Sequence, residues 1–123
     1  MILVDTSVWI DHLAKGDEQL QTLLEDGQVL VHPYVLGEVA LGSLKMREET
    51  LQAMAALPKI TCATPEEAMV CLNAERLFGA GIGYVDLHLL ASTKLQHNTL
   101  LWTRDKRLAQ LAVRLKIAAF VSH

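Results

Sequence analysis

The most constraining feature of this sequence is its alternation of short, unbroken apolar runs with longer stretches of helical spacing. Ile2-Leu3-Val4 and Val29-Leu30-Val31 are too short for helices and rich in β-branched residues, which marks them as buried strands. Lys59–Cys62, Thr99–Trp102 and Ala118–Val121 read the same way, more weakly. Between them lie segments with leucines three and four apart. Leu20, Leu23 and Leu24 make one such stripe, and Leu108, Leu111, Ala112 and Leu115 make another. Strands separated by helices require crossover connections, hence parallel pairing. The expected fold is therefore α/β, a three-layer α/β/α sandwich with a central parallel sheet.

Local punctuation sets the expected helix bounds. Asp5-Thr6-Ser7 opens a helix after the first strand. Asp17 to Asp26 forms the next, stopped by Gly27. Pro33 suits the first turn of a helix reaching about Leu44, and Met46 to Leu57 is helical up to Pro58. Thr64 and Pro65 open a helix to about Phe78, with Glu66 and Glu67 facing its positive end. The glycine-rich Gly79–Gly83 connection leads into a helix from Val85 to His97, and Arg104 to Leu115 forms the last.

At 123 residues the chain has the length of one domain, residues 1–123. Its 51% hydrophobic content excludes disorder, and no apolar run approaches the roughly 20 residues of a membrane helix. Two cysteines without a CxxC pattern give no disulfide framework or zinc site, which fits a reducing cytoplasm. Charge is uneven. Residues 1–93 carry 5 Lys/Arg against 13 Asp/Glu, a net of −8, while residues 94–123 carry 6 against 1, a net of +5. The basic end is either a phosphate-facing patch or a solvated helix face.

In an open parallel sheet, ligands bind beyond the carboxyl ends of the strands. Asp5 follows the first strand, and Thr103 and Asp105 follow Thr99–Trp102. Glu38 lies about a turn into the helix after Val31, and Asp86 opens the helix after the glycine-rich connection. Helix capping accounts for Asp5, Asp86 and Asp105 taken singly. Glu38 sits within the apolar pattern Tyr34–Leu41, where a buried carboxylate needs compensation. Gathered acids repel one another, and a hard divalent cation relieves that repulsion. Mg²⁺ or Mn²⁺ held in this way suits phosphodiester hydrolysis. Thr103 could hydrogen-bond a carboxylate or the attacking water, and Thr6 and Ser7 could do the same at the other strand end.

Four segments carry a specific resemblance. Ile2-Leu3-Val4-Asp5-Thr6-Ser7-Val8-Trp9-Ile10-Asp11 resembles the opening of a PIN domain, in particular of VapC-type toxins from toxin–antitoxin pairs. Glu38 with the apolar residues after it resembles their internal glutamate. Gly83–Ala91 resembles the segment bearing their third acid, and Leu101–Leu108 resembles their last motif, Thr-x-Asp before a helix. All four occur in family order over essentially the whole chain.

The resemblance implies a metal-dependent endoribonuclease that cleaves structured RNA, tRNA or rRNA, and stops translation. Asp5, Glu38, Asp86 and Asp105 would form the Mg²⁺ or Mn²⁺ site, with Thr103 as the supporting hydroxyl. It also implies a homodimer, a VapB-type antitoxin that blocks the site, and operator DNA reached only through that antitoxin. His88 stands where an apolar residue is common in the family. Two other readings remain at this level: a catalytically silent PIN-like protein-binding module, and a receiver-type phosphoacceptor domain.

Overall fold

The computed structural model describes residues 1–119. Its centre is a parallel sheet of three strands, β1 (Ile2–Val4), β2 (Val29–Leu30) and β3 (Leu100–Trp102), in the order β2-β1-β3. Ile2 pairs with Val29 on one side and with Leu100 on the other, and Val4 pairs with Trp102. Single bridges widen the sheet at both edges, Val31 to Lys59 and Leu101 to Ala118. Successive strand side chains point to opposite faces. Leu3 and Val4 are both fully buried, and Leu101 and Trp102 nearly so, which means that helices cover both faces. The α/β architecture expected from the alternation is the one observed.

Among the described residues, seven helices surround the sheet: α1 (Thr6–Lys15), α2 (Glu18–Glu25), α3 (Pro33–Ala40), α4 (Arg47–Ala55), α5 (Pro65–Ala74), α6 (Tyr84–Leu95) and α7 (Lys106–Arg114). Their ends follow from identifiable caps. The Asp17 carboxylate accepts the Leu20 N–H at 2.9 Å. Thr64 and Glu67 form a reciprocal capping box, with Pro65 in the first turn. At Gly27, with φ +66°, the chain turns back so that Gln28 N–H reaches Leu23 O at 2.9 Å.

Several boundaries differ from the sequence expectation. The helix after Pro33 stops at Ala40 rather than Leu44, ahead of Gly42 and Ser43, which propagate a helix poorly. The helix after Thr64 stops at Ala74 rather than Phe78. Arg76 turns left-handed at φ 56°, and Leu77 N–H closes back on Leu72 O at 2.9 Å, which carries Leu77 into the core. The strand expected over Lys59–Cys62 shrinks to one bridge. Beyond Ile60 the backbone donors turn to the side of α6, Thr61 to Gln96 Oε1 and Ala63 to Ser92 Oγ, both at 2.9 Å. The last helix starts at Lys106 rather than Arg104, because Asp105 is its cap. Of the expected strand Ala118–Val121, Ala118 makes the bridge noted above, while Phe120 and Val121 lie outside the described residues.

Candidate acidic site at the strand ends

The register that pairs Val4 with Trp102 brings the next residues of both strands side by side, and Asp5 N–H continues the ladder to Trp102 O at 2.9 Å. Asp5 and Thr103 therefore leave the sheet together. Thr103 Oγ1 donates to Asp5 Oδ2 at 2.7 Å, and Ser7 Oγ donates to the same oxygen at 2.7 Å. Asp5 occupies the N-cap position of α1, yet its side chain caps nothing. Its carboxylate, almost completely buried, is turned to the two hydroxyls instead. Capping is thus not what Asp5 does.

Asp105 does cap. Its Oδ1 accepts Leu108 N–H at 2.9 Å, and its own N–H donates to Thr103 Oγ1 at 3.1 Å. Asp86 stands in the first turn of α6, where Oδ2 accepts Gly83 N–H at 3.3 Å. The approach to that helix depends on Gly81, whose φ of +81° is a conformation that L side chains rarely adopt. Glu38 is held from the opposite side, where Thr6 Oγ1 donates to its Oε1 at 2.7 Å.

Glu38 corrects one expectation. It is exposed rather than buried among the apolar residues around it. The helical phase of α3 turns Val35 and Val39, four apart, into the core and leaves Glu38 on the rim. Its environment is the open end of the sheet, where the other acids stand.

The four carboxylates share one electrostatic field. Asp86 has its pKa raised above the ordinary carboxylate value, first by burial and then by repulsion from Asp5, Asp105 and Glu38, against the opposing Gly83 hydrogen bond. Among the described residues, no three His, Cys, Asp or Glu side chains stand close enough to form a ready-made ligand set. The donors nonetheless fit a hard cation in kind. All are carboxylate oxygens, and Mg²⁺ commonly takes only one or two of them directly while keeping several waters. The mutual repulsion at Asp86 is what such a charge would relieve.

The basic residues beside Asp105 divide. Arg104 does not face solvent as a phosphate contact. Its guanidinium pairs with both Asp11 and Asp17 and lies over the Trp102 ring, 6.0 Å from the centroid. Asp11, on α1, is thus a structural partner. Asp17 is correspondingly lowered in pKa. Burial alone would raise it, but the Leu20 N–H and the Arg104 guanidinium outweigh that. Lys106 and Arg107 remain exposed. His88 is fully buried, and neither of its ring nitrogens meets a hydrogen-bond partner among the described residues. It packs edge-on against Tyr84 and Tyr34, with centroids at 4.5 and 5.2 Å. It is a packing residue of α6, two positions past Asp86.

From the sequence, Thr6 and Ser7 are hydroxyls at the end of the first strand with no particular acid as partner. The structure gives each a specific acid, Glu38 for Thr6 and Asp5 for Ser7. Adjacent polar residues at a strand exit were the available signal.

Comparison with known proteins identifies the family. The family model described as PIN domain matches residues 2–114. The chain is 47% identical over 108 residues to Ribonuclease VapC32 of Mycobacterium tuberculosis, in strain CDC 1551 / Oshkosh and in strain ATCC 25618 / H37Rv, covering 88% of this chain and 87% of each relative. With its strand ends aligned, its acids at one end of the sheet and nearly its full length matched, this chain belongs to the PIN domain family, among the VapC-type members.

Proposed function

We propose that the protein is a Mg²⁺- or Mn²⁺-dependent endoribonuclease, the toxin of a toxin–antitoxin pair, that cleaves structured RNA such as tRNA or rRNA and so halts translation. The observation that carries this reading is the common field of Asp5, Glu38, Asp86 and Asp105 at the carboxyl end of the sheet. The likeness to a ribonuclease supports it. In this reading residues 1–123 form one PIN domain.

Asp5, Glu38, Asp86 and Asp105 would hold the cation, which when bound polarises the scissile phosphate and lowers the pKa of a water. The chain's own residues prepare the pocket. Thr103 holds Asp5 and the backbone of Asp105 in one arrangement. Thr6 fixes Glu38 at the rim. Lys106 and Arg107, exposed beside Asp105, attract the RNA backbone.

A VapB-type antitoxin is the proposed partner. In support, a groove of about 610 Å³ runs beside Glu38, lined by the exposed apolar residues Ile10, Leu13 and Met46. Operator DNA would be reached only through that antitoxin. A homodimer is supported by exposed Met69, Val70 and Phe78. Cys62 and Cys71 are free thiols, which supports the cytoplasm. No helix among the described residues is long and apolar enough to cross a membrane.

The test is sequencing of RNA ends after brief induced expression of the wild type and of Asp5→Asn. New ends at defined positions in the wild type alone are expected. Identical end profiles for the two proteins, both folded by circular dichroism, would overturn the reading.

A further inference from the structure

We propose that Ser7 is a positioning residue of the acidic pocket, fixing which oxygen of Asp5 is offered to a cation. The inference rests on the cation-dependent reading above and adds a residue to it. A serine hydroxyl has one proton to donate and lone pairs to accept. Ser7 Oγ donates to Asp5 Oδ2 at 2.7 Å and accepts Arg104 N–H at 3.0 Å. Thr103 repeats the pattern, donating to Asp5 Oδ2 at 2.7 Å and accepting Asp105 N–H at 3.1 Å. Each hydroxyl thus commits its proton to the same carboxylate oxygen. The 3.4 Å approach between Ser7 Oγ and Thr103 Oγ1 is then a packing contact, since neither has a second proton to give.

Two consequences follow. Oδ2 of Asp5 is loaded by two donors, whereas Oδ1 accepts from no group among the described residues, so Oδ1 is the oxygen open to a ligand. An aspartate at an N-cap would ordinarily rotate to accept a helix N–H, and here it does not. Ser7, at the second position of α1, draws the carboxylate out of the capping orientation. Its second bond, from Arg104 N–H, fastens the loop that carries Thr103 and Asp105 to α1. One hydroxyl therefore couples both strand exits, and its loss frees Asp5 to return to the cap.

The test compares wild type, Ser7→Ala, Ser7→Thr and Asp5→Asn for Mn²⁺ affinity, read by electron paramagnetic resonance of the free ion. It also follows single-turnover RNA cleavage across Mn²⁺ concentrations. Ser7→Ala should weaken Mn²⁺ binding about 10- to 100-fold, the usual effect of removing a group that orients a metal ligand. Cleavage should recover largely at saturating Mn²⁺. Ser7→Thr, which keeps the hydroxyl, should restore most of the affinity. A purely structural role would lower the melting temperature without this dependence on Mn²⁺. If Ser7→Ala does not fold, Ser7→Cys, with its weak S–H donor, gives the same comparison. Unchanged Mn²⁺ affinity in folded Ser7→Ala, beside a wild type that binds Mn²⁺ and cuts RNA, overturns the role of Ser7 alone. A wild type that binds no Mn²⁺ overturns both readings.

Discussion

The hydroxyl of Thr6 donates to Oε1 of Glu38 at 2.7 Å, joining residues 32 apart in sequence. Thr6 is the first residue after Asp5, so this bond ties the acid of α3 to the exit of the central strand. Replacing Thr6 by Val keeps the shape and removes the donor. We expect RNA cleavage to fall about 10-fold or more. Because the bond is exposed, stability should change by no more than about 1 kcal/mol. Cleavage rates and thermal melts of the two proteins check this, and an unaltered rate would refute it.

Asp86 carries an electrostatic cost in the metal-free protein. Its folded pKa is raised by burial and by the three other acids, so ionisation at neutral pH opposes folding. That cost is fully present above the folded pKa and is lost progressively as pH falls from there to the ordinary carboxylate value. Asp86→Asn should therefore raise the melting temperature of the metal-free protein at pH 7, by about 2–4 °C, while abolishing cleavage. Adding Mn²⁺ should stabilise the wild type more than the variant. Scanning calorimetry with and without Mn²⁺ decides the matter, and a lower melting temperature for metal-free Asp86→Asn would contradict it.

His32 caps α3 through Nδ1, which accepts Tyr34 N–H at 3.0 Å, and it is buried. Burial and then the neighbouring His88 lower its pKa from 6.5 to about 4. Below pH 6.5 the unfolded chain takes up a proton that the folded chain refuses, so stability is present above 6.5 and is lost progressively down to about 4. His32→Asn keeps a capping side chain but does not titrate there. Urea unfolding at several pH values should show a shallower loss between pH 6.5 and 4 for the variant, and parallel curves would refute the assignment.

Arg104 joins Asp11 of α1 to Asp17, the cap of α2, and lies over Trp102. Its charge serves the fold rather than the RNA. Arg104→Lys cannot reproduce a fork to two carboxylates. We expect a loss of about 2 kcal/mol, because hydrogen bonds to charged groups are lost and Asp17 is left largely buried. RNA affinity should change less than in Lys106→Ala or Arg107→Ala. Denaturation midpoints and RNA binding across salt concentrations separate the two roles, and an intact midpoint would show that the clamp carries no stability.

The parallel α/β plan was legible because its cause is local and repetitive. Ile2-Leu3-Val4 admits little but a strand buried on both faces, and Gly27 and Thr64-Pro65 stop and start helices through their own backbone preferences. Where the ends were misplaced, long-range partners intervened. Gln96 and Ser92 take the backbone donors of Thr61 and Ala63 and end what would have been a strand. Leu77, drawn into the core, closes α5 early.

The site divides in the same way. The sequence by itself determined which acids follow strand ends, since the order of strand, acid and helix is written in consecutive residues. Only the tertiary structure decided what each acid does. Whether Asp5 caps its helix or turns to Ser7 and Thr103 depends on β3 lying beside β1, and whether Glu38 is buried or on the rim depends on the phase at which α3 packs. Hydrogen bonds between residues 32 and 98 apart have no local signature, because the donor and acceptor meet only after the sheet has set their register.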